Sequence, residues 1–139
     1  MSQAAFRRGM KTRRRVLGDE WVDRAVKNTT AFNAEFQDLI TRYVWDEIWN
    51  RKRLTHRERR MLVLAMTATQ GRWEEFRLHL RAALASRDLA AEDVKEILLQ
   101  AAVYCGVPTA NTAFREAREE MAALASAPKA KRAKRSPRR

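Results

Sequence analysis

Glycine and proline break helices, and this 139-residue chain holds only four of one and three of the other. No segment alternates apolar and polar residues for long, whereas apolar residues recur at spacings of three and four. Such a pattern restricts the chain to packed helices, an all-α fold. Apolar residues make up 45% of the sequence, enough for one core. The length suits a single domain of roughly 100–125 residues plus tails.

The stretch from Leu54 to Leu84 organises the rest. Thr55 precedes Glu58 by the spacing of a capping box, so a helix is expected over about 56–69. Its middle, Met61 to Met66, is apolar almost all round, which predicts a central, buried helix. Gly71 ends it. A second helix, about 72–86, carries Trp73, Phe76, Leu80, Ala83 and Leu84 as its stripe. On that helix Glu75 and His79 are four residues apart, one above the other. His79 falls on the flank of the stripe, where it could line a cleft, and Glu75 lies further round. Both also have plain explanations: acids in a first turn favour the helix dipole, and a lone helical histidine is often structural.

Before this stretch, residues 1–18 read as a basic, partly helical arm, and Asp19 as the cap of a short helix over about 20–26. The following helix carries Phe32, Phe36, Leu39, Ile40 and Tyr43 as one stripe, with Trp45, Ile48 and Trp49 near its end. The tryptophans can be core, subunit contact or ligand lining. After the stretch, Asp88 is placed to cap a helix with Val94, Ile97, Leu98, Ala101, Ala102 and Cys105 on one face. Gly106 stops it, and Pro108 suits the first turn of a last helix lined by Ala110, Ala113, Phe114, Ala117, Met121 and Leu124. The domain is expected to span 1–127, with 128–139 a disordered basic tail.

The net charge of +12 is unevenly placed, because more than half of it lies beyond Pro128. A second basic cluster runs from Arg7 to Arg15. Binding of nucleic acid or another polyanion through arm and tail is therefore one functional expectation, although the body holds no recognisable nucleic-acid module. Phosphate-binding glycine patterns and a nucleophile elbow are absent. His56, His79 and Cys105 are the only soft metal-ligand types, so no metal site is expected. A single cysteine fits a reducing compartment, no apolar run approaches a membrane span, and no signal-peptide core follows the basic start. A cytoplasmic location is the expectation.

The segments RRRVLGDEWVDRA (13–25), FNAEFQDLITRYVWDEIW (32–49), RERRMLVLAM (57–66), RWEEFRLHLRAAL (72–84) and VKEILLQAAVYCGVPTANTAF (94–114) together resemble the 4-carboxymuconolactone decarboxylases of the alkylhydroperoxidase D-like superfamily. The resemblance covers about residues 6–124 and implies a helical domain of about six helices that assembles as a trimer or hexamer. In the peroxidase relatives a CxxC pair precedes a histidine. Here those positions are Arg72, Glu75 and His79, which excludes thiol redox chemistry. The implied reaction is cofactor-free decarboxylation of 4-carboxymuconolactone, a dicarboxylate lactone, in protocatechuate breakdown. Under that resemblance His79 is the expected proton donor, with Glu75 orienting it or sharing the proton. Arg59 and Arg13, with Arg81 less favoured, are expected to hold substrate oxygens, and Trp45 to line the site. A related decarboxylase with another lactone is the nearest alternative. The chain departs from the family at Asp46, usually glycine, and at Lys52-Arg53, usually a Pro-Gly turn. A carboxylate at Asp46 facing the pocket would repel a dianion.

Overall fold

Thr55 starts the central helix as its spacing to Glu58 requires. Its hydroxyl accepts the Glu58 backbone N–H at 3.1 Å, and the Glu58 carboxylate accepts the Thr55 N–H at 3.0 Å. Two donors left bare at a helix start are thereby satisfied. The computed structural model describes residues 2–127, and their regular structure is entirely helical. The elements are α1 (Gln3–Leu17), α2 (Asp19–Lys27), α3 (Ala34–Ile40) continuing as a π-helical segment (Thr41–Ile48), α4 (His56–Thr69), α5 (Trp73–Ser86), α6 (Ala91–Cys105) and α7 (Val107–Ala125). The tail expected at 128–139 lies outside the described residues. Among them no helix is long and apolar enough to cross a membrane.

Two apolar clusters meet at α4 and α5. The larger joins Leu64 and Ala68 of α4, Phe76, Leu80 and Ala83 of α5, Val94, Ile97 and Leu98 of α6, and Ala113 and Ala117 of α7. The stripes expected on α5 and α6 point into it, and the alanines let α7 approach closely. The smaller cluster holds Val16, Leu17, Val22, Trp45 and Trp49, with Val63 of α4 and Leu78 of α5 packed against it.

Three expectations are corrected. The N-terminal arm is an integral helix: α1 runs unbroken to Leu17, buries Val16 and Leu17, and packs along the π-helical segment. Gly9 makes this possible, since a Cβ there would stand 2.0 Å from the Thr41 carbonyl oxygen. The stripe on α3 points outward: Phe32 is 99% exposed, and Phe36, Leu39 and Tyr43 are at least half exposed. The face turned to α1 is instead polar, with Gln37 bonded to Arg13 and Thr41 buried. Helix α4 is not buried all round either, because Leu62 and Met66 are exposed among the described residues.

Two caps also differ. Gly18 stands at the start of α2, and Asp19 pairs with Arg14 at 3.2 Å. Asp93 accepts the Ala90 N–H at 2.8 Å and so caps α6, which frees Asp88 to pair with Arg60 and Arg15. Cys105 is half-buried, with its Sγ 2.9 Å from the Thr69 hydroxyl.

Gly9→Ala should force α1 away from the π-helical segment. The expected loss is about 1–3 kcal/mol of stability, typical of overpacking, read as a lower urea midpoint.

Candidate active site

His79 lies where α5 crosses the smaller cluster. Its ring stacks on Trp49 at 6.4 Å between centroids with 11° between planes. Trp49 in turn packs on Trp45 at 5.4 Å and receives the edge of His56 at 5.7 Å. Both tryptophans are brought inward by the π-helical winding, in which the Trp49 N–H reaches the Val44 carbonyl five residues back at 3.0 Å. Wide turns of this kind are rare and recur at functional sites.

Nδ1 of His79 is buried and has no hydrogen-bond partner. Burial, and then the positive charge of Arg60, push its pKa from 6.5 down to about 4. At neutral pH the imidazole is therefore uncharged. His56 is also lowered, chiefly by burial, although its bond to the Trp49 carbonyl opposes the shift.

Among the described residues only two other buried side-chain polar atoms lack a partner: Nε of Arg13 and Nε of Arg59. Buried polar groups are nearly always bonded, so each orphan needs an explanation. Arg13 is 3% exposed. It reaches α3 through Nη2, which donates to Gln37 at 2.9 Å, and it lies over the Trp21 ring at 5.6 Å. Burial, and then Arg14, lower its pKa. Arg59 stands one turn before Val63 on α4 and, among the described residues, makes only a long 3.4 Å bond to the Arg51 carbonyl.

The three orphans fall on three of the six residues singled out in the sequence. A fourth, Trp45, is buried beside Trp49. The other two are exposed. Glu75 is exposed and makes no hydrogen bond or ion pair among the described residues, so it does not orient the His79 ring. Arg81 is exposed and faces α7, where it pairs with Glu120 at 3.7 Å beside the Arg77 cluster.

Arg60 was missed by sequence reasoning. Its guanidinium is fully buried and bonded to Asp88 at 2.8 Å and to the Val16 carbonyl at 2.8 Å. The signal was present, since Arg60, Leu64 and Ala68 recur at spacings of four on the buried face of α4. Asp46, the family departure, faces α1 and takes both Nε and Nη2 of Arg8 at 3.0 Å. That pairing holds the Asp46 carboxyl below the usual range, so Asp46 itself is not left bare. Among the described residues no group of three or more His, Cys, Asp or Glu is placed to hold a metal ion.

Because the chain has two histidines, a proton NMR titration reads each ring separately. One imidazole should titrate near 4 and vanish in His79→Gln, with the other below 6.5. Between pH 6.5 and 4 the unfolded chain binds the proton that folded His79 refuses. Acidification through that window should therefore destabilise the wild type more than His79→Gln in urea unfolding.

Comparison with known proteins bears on the surroundings of His79. The carboxymuconolactone decarboxylase family model matches residues 34–119. A 4-carboxymuconolactone decarboxylase of Acinetobacter baylyi is 34% identical over 123 residues, 88% of this chain and 91% of the relative. Nitrosuccinic acid decarboxylase npaB of Metarhizium robertsii is 38% identical over 104 residues, 75% of this chain and 72% of the relative. A 4-carboxymuconolactone decarboxylase of Pseudomonas putida is 54% identical over 35 residues, 25% of this chain and 73% of that sequence. On the span of the family match and the near full-length similarity to the Acinetobacter enzyme, this chain belongs to the carboxymuconolactone decarboxylase family.

Proposed function

We propose that this chain decarboxylates 4-carboxymuconolactone to 3-oxoadipate enol-lactone and CO₂, as a step in protocatechuate breakdown. Similarity to the Acinetobacter enzyme supports the substrate. One structural observation carries the site: the buried, unpartnered nitrogens of Arg13, Arg59 and His79. Such atoms suit a ligand that brings several oxygens.

The chemistry sets three tasks. The bond from the quaternary ring carbon to the carboxylate breaks, and its electron pair moves through the ring double bond to the lactone carbonyl oxygen. The dienolate then takes one proton at the carbon α to that carbonyl. No cofactor is needed for this electron flow. In our assignment Arg59 and Arg13 hold the acetate carboxylate and lactone oxygens, since guanidinium pairs well with such groups. The departing carboxylate stays unpaired, because a salt bridge there would stabilise the ground state. His79 donates its N–H to the carbonyl oxygen as charge develops. The adjacent anion then raises the imidazole pKa, and the ring passes a solvent proton to the α-carbon. Glu75, exposed one turn earlier on the same helix, is assigned only the relay of that proton from solvent. Trp45 and Trp49 keep the pocket dry. Arg81, paired with Glu120, is left out of the assignment.

The Metarhizium similarity favours a second substrate of related logic. Nitrosuccinic acid also carries two carboxyl groups and an acceptor, the nitro group, that can take the electron pair of a departing carboxylate. Both acids belong in one assay.

We further propose that the chain works as a ring-shaped homo-oligomer. Two unlike apolar faces lie exposed, one at Phe32, Phe36 and Leu39, the other at Val103, Tyr104 and Val107. Unlike faces that pair head to tail form rings when the rotation between neighbours closes.

His79→Ala should lower kcat for CO₂ release by roughly 10²–10⁴-fold, and Glu75→Gln by less. Wild-type turnover in His79→Ala would remove the assignment. Because neutral His79 is the working form, kcat/KM should show no break near 6.5 and should fall only as pH approaches about 4. A steady decline above pH 4 would instead require the imidazolium. Phe36→Glu should reduce the particle mass in light scattering.

A further inference from the structure

Beyond the Trp49–His79 pocket, α1 borders a hollow of about 300 Å³ lined by Arg8, Lys11, Thr12, Arg15, Asn50 and His56. A hollow of about 350 Å³ at Asn111, Phe114, Arg115 and Arg118 is lined by α7 alone and offers no second wall. The α1 hollow has one. Arg8, Lys11 and Arg15 stand three and four residues apart on one face of the helix, where like charges oppose each other. The loop after the π-helical segment and the start of α4 supply the opposite side through Asn50 and His56.

The polar atoms of this hollow divide into two groups. The inner ones are bonded to one another. Thr12 donates to Asn50 Oδ1 at 2.7 Å, and Asn50 Nδ2 donates to Asp46 at 3.2 Å. His56 Nε2 donates to the Trp49 carbonyl at 3.1 Å, which leaves Nδ1 of the neutral ring as an acceptor. The cations are only partly engaged. Arg8 commits Nε and Nη2 to Asp46, and Arg15 commits Nη2 to Asp88 at 2.9 Å. Nη1 of each arginine and the Lys11 ammonium make no hydrogen bond or ion pair among the described residues. Residues with free donors thus line a hollow whose inner polar groups are already bonded.

We propose that this hollow is a second anion site, taking a small carboxylate or phosphate anion through Lys11 and the free edges of Arg8 and Arg15. An anion there relieves the repulsion along α1 and accepts several charge-assisted hydrogen bonds. The site is distinct from the decarboxylation pocket, because Trp49 stands between them. Its carbonyl holds His56 and its indole stacks on His79. The inference does not depend on which acid the pocket decarboxylates.

The two histidine rings make the test direct. Succinate and inorganic phosphate are titrated separately into the full chain at low ionic strength while both imidazoles are followed by NMR. The His56 signal should shift saturably with at least one anion, and the tighter of the two identifies carboxylate or phosphate as the preferred chemistry. Lys11→Glu should weaken that binding about tenfold or more, equivalent to one decade in Kd. Lys11 is exposed and unpaired, so the variant keeps the fold. An unmoved His56, or a His56 shift that Lys11→Glu leaves as tight as before, overturns the proposal. A shift at His79 that survives Lys11→Glu reports the decarboxylation pocket and does not count for the hollow.

Discussion

A single guanidinium without exposed surface joins three parts of this fold. Arg60 of α4 reaches the last turn of α1 through the Val16 and Arg15 carbonyls, at 2.8 and 3.4 Å, and the turn before α6 through Asp88. The carbonyls at a helix C-terminus have no intrahelical donor, and a cation there meets both their hydrogen-bonding need and the helix dipole. Burial works against the charge on Asp88, yet the bonds from Arg15 and Arg60 outweigh it and hold the carboxyl below its usual range. Removing one partner from such a buried pair typically costs about 3–5 kcal/mol. The tie between α4 and the last turn of α1 thus depends on a charge that cannot be withdrawn alone.

The same charge also reaches His79. Arg60 adds to burial in keeping His79 neutral. Arg13 and Arg59 bring further positive charge with buried nitrogens left open. Asp46, the carboxylate that could have countered them, is turned to α1 and neutralised by Arg8. An uncharged imidazole thus lies in a fold whose buried Arg13 and Arg59 nitrogens stay open to a hydrogen-bond acceptor.

Much of this was legible in the residues. The Thr55–Glu58 box, the stripes of α5 and α6, and the histidine flanking the α5 stripe all follow from local spacing. Periodicity, however, records that a helix has an apolar face, not what covers it. Phe32, Phe36 and Leu39 carry the pattern of a core stripe and face outward, while the polar side of α3 meets α1 because Gly9 lets the backbones touch. Basic composition made α1 look like an arm, since the buried roles of Arg13 and Thr12 depend on partners 24 and 38 residues away. Arg60 was hidden for the same reason: its partners lie 28 and 44 residues away, beyond any local motif.

The π-helical segment ties the Trp49–His79 stack to chain length. Its wider turns carry the chain from Thr41 to Trp49 in a register that an ordinary α-helix would not reproduce. Each residue of an α-helix advances the chain by about 100° around the axis. Deleting one residue between Val44 and Trp49 would tighten the winding and swing the indole off the His79 ring, with every pocket side chain still present. Descendants of this sequence can exchange many side chains here, but insertions and deletions in this turn are closed to them as long as the stack on His79 is needed.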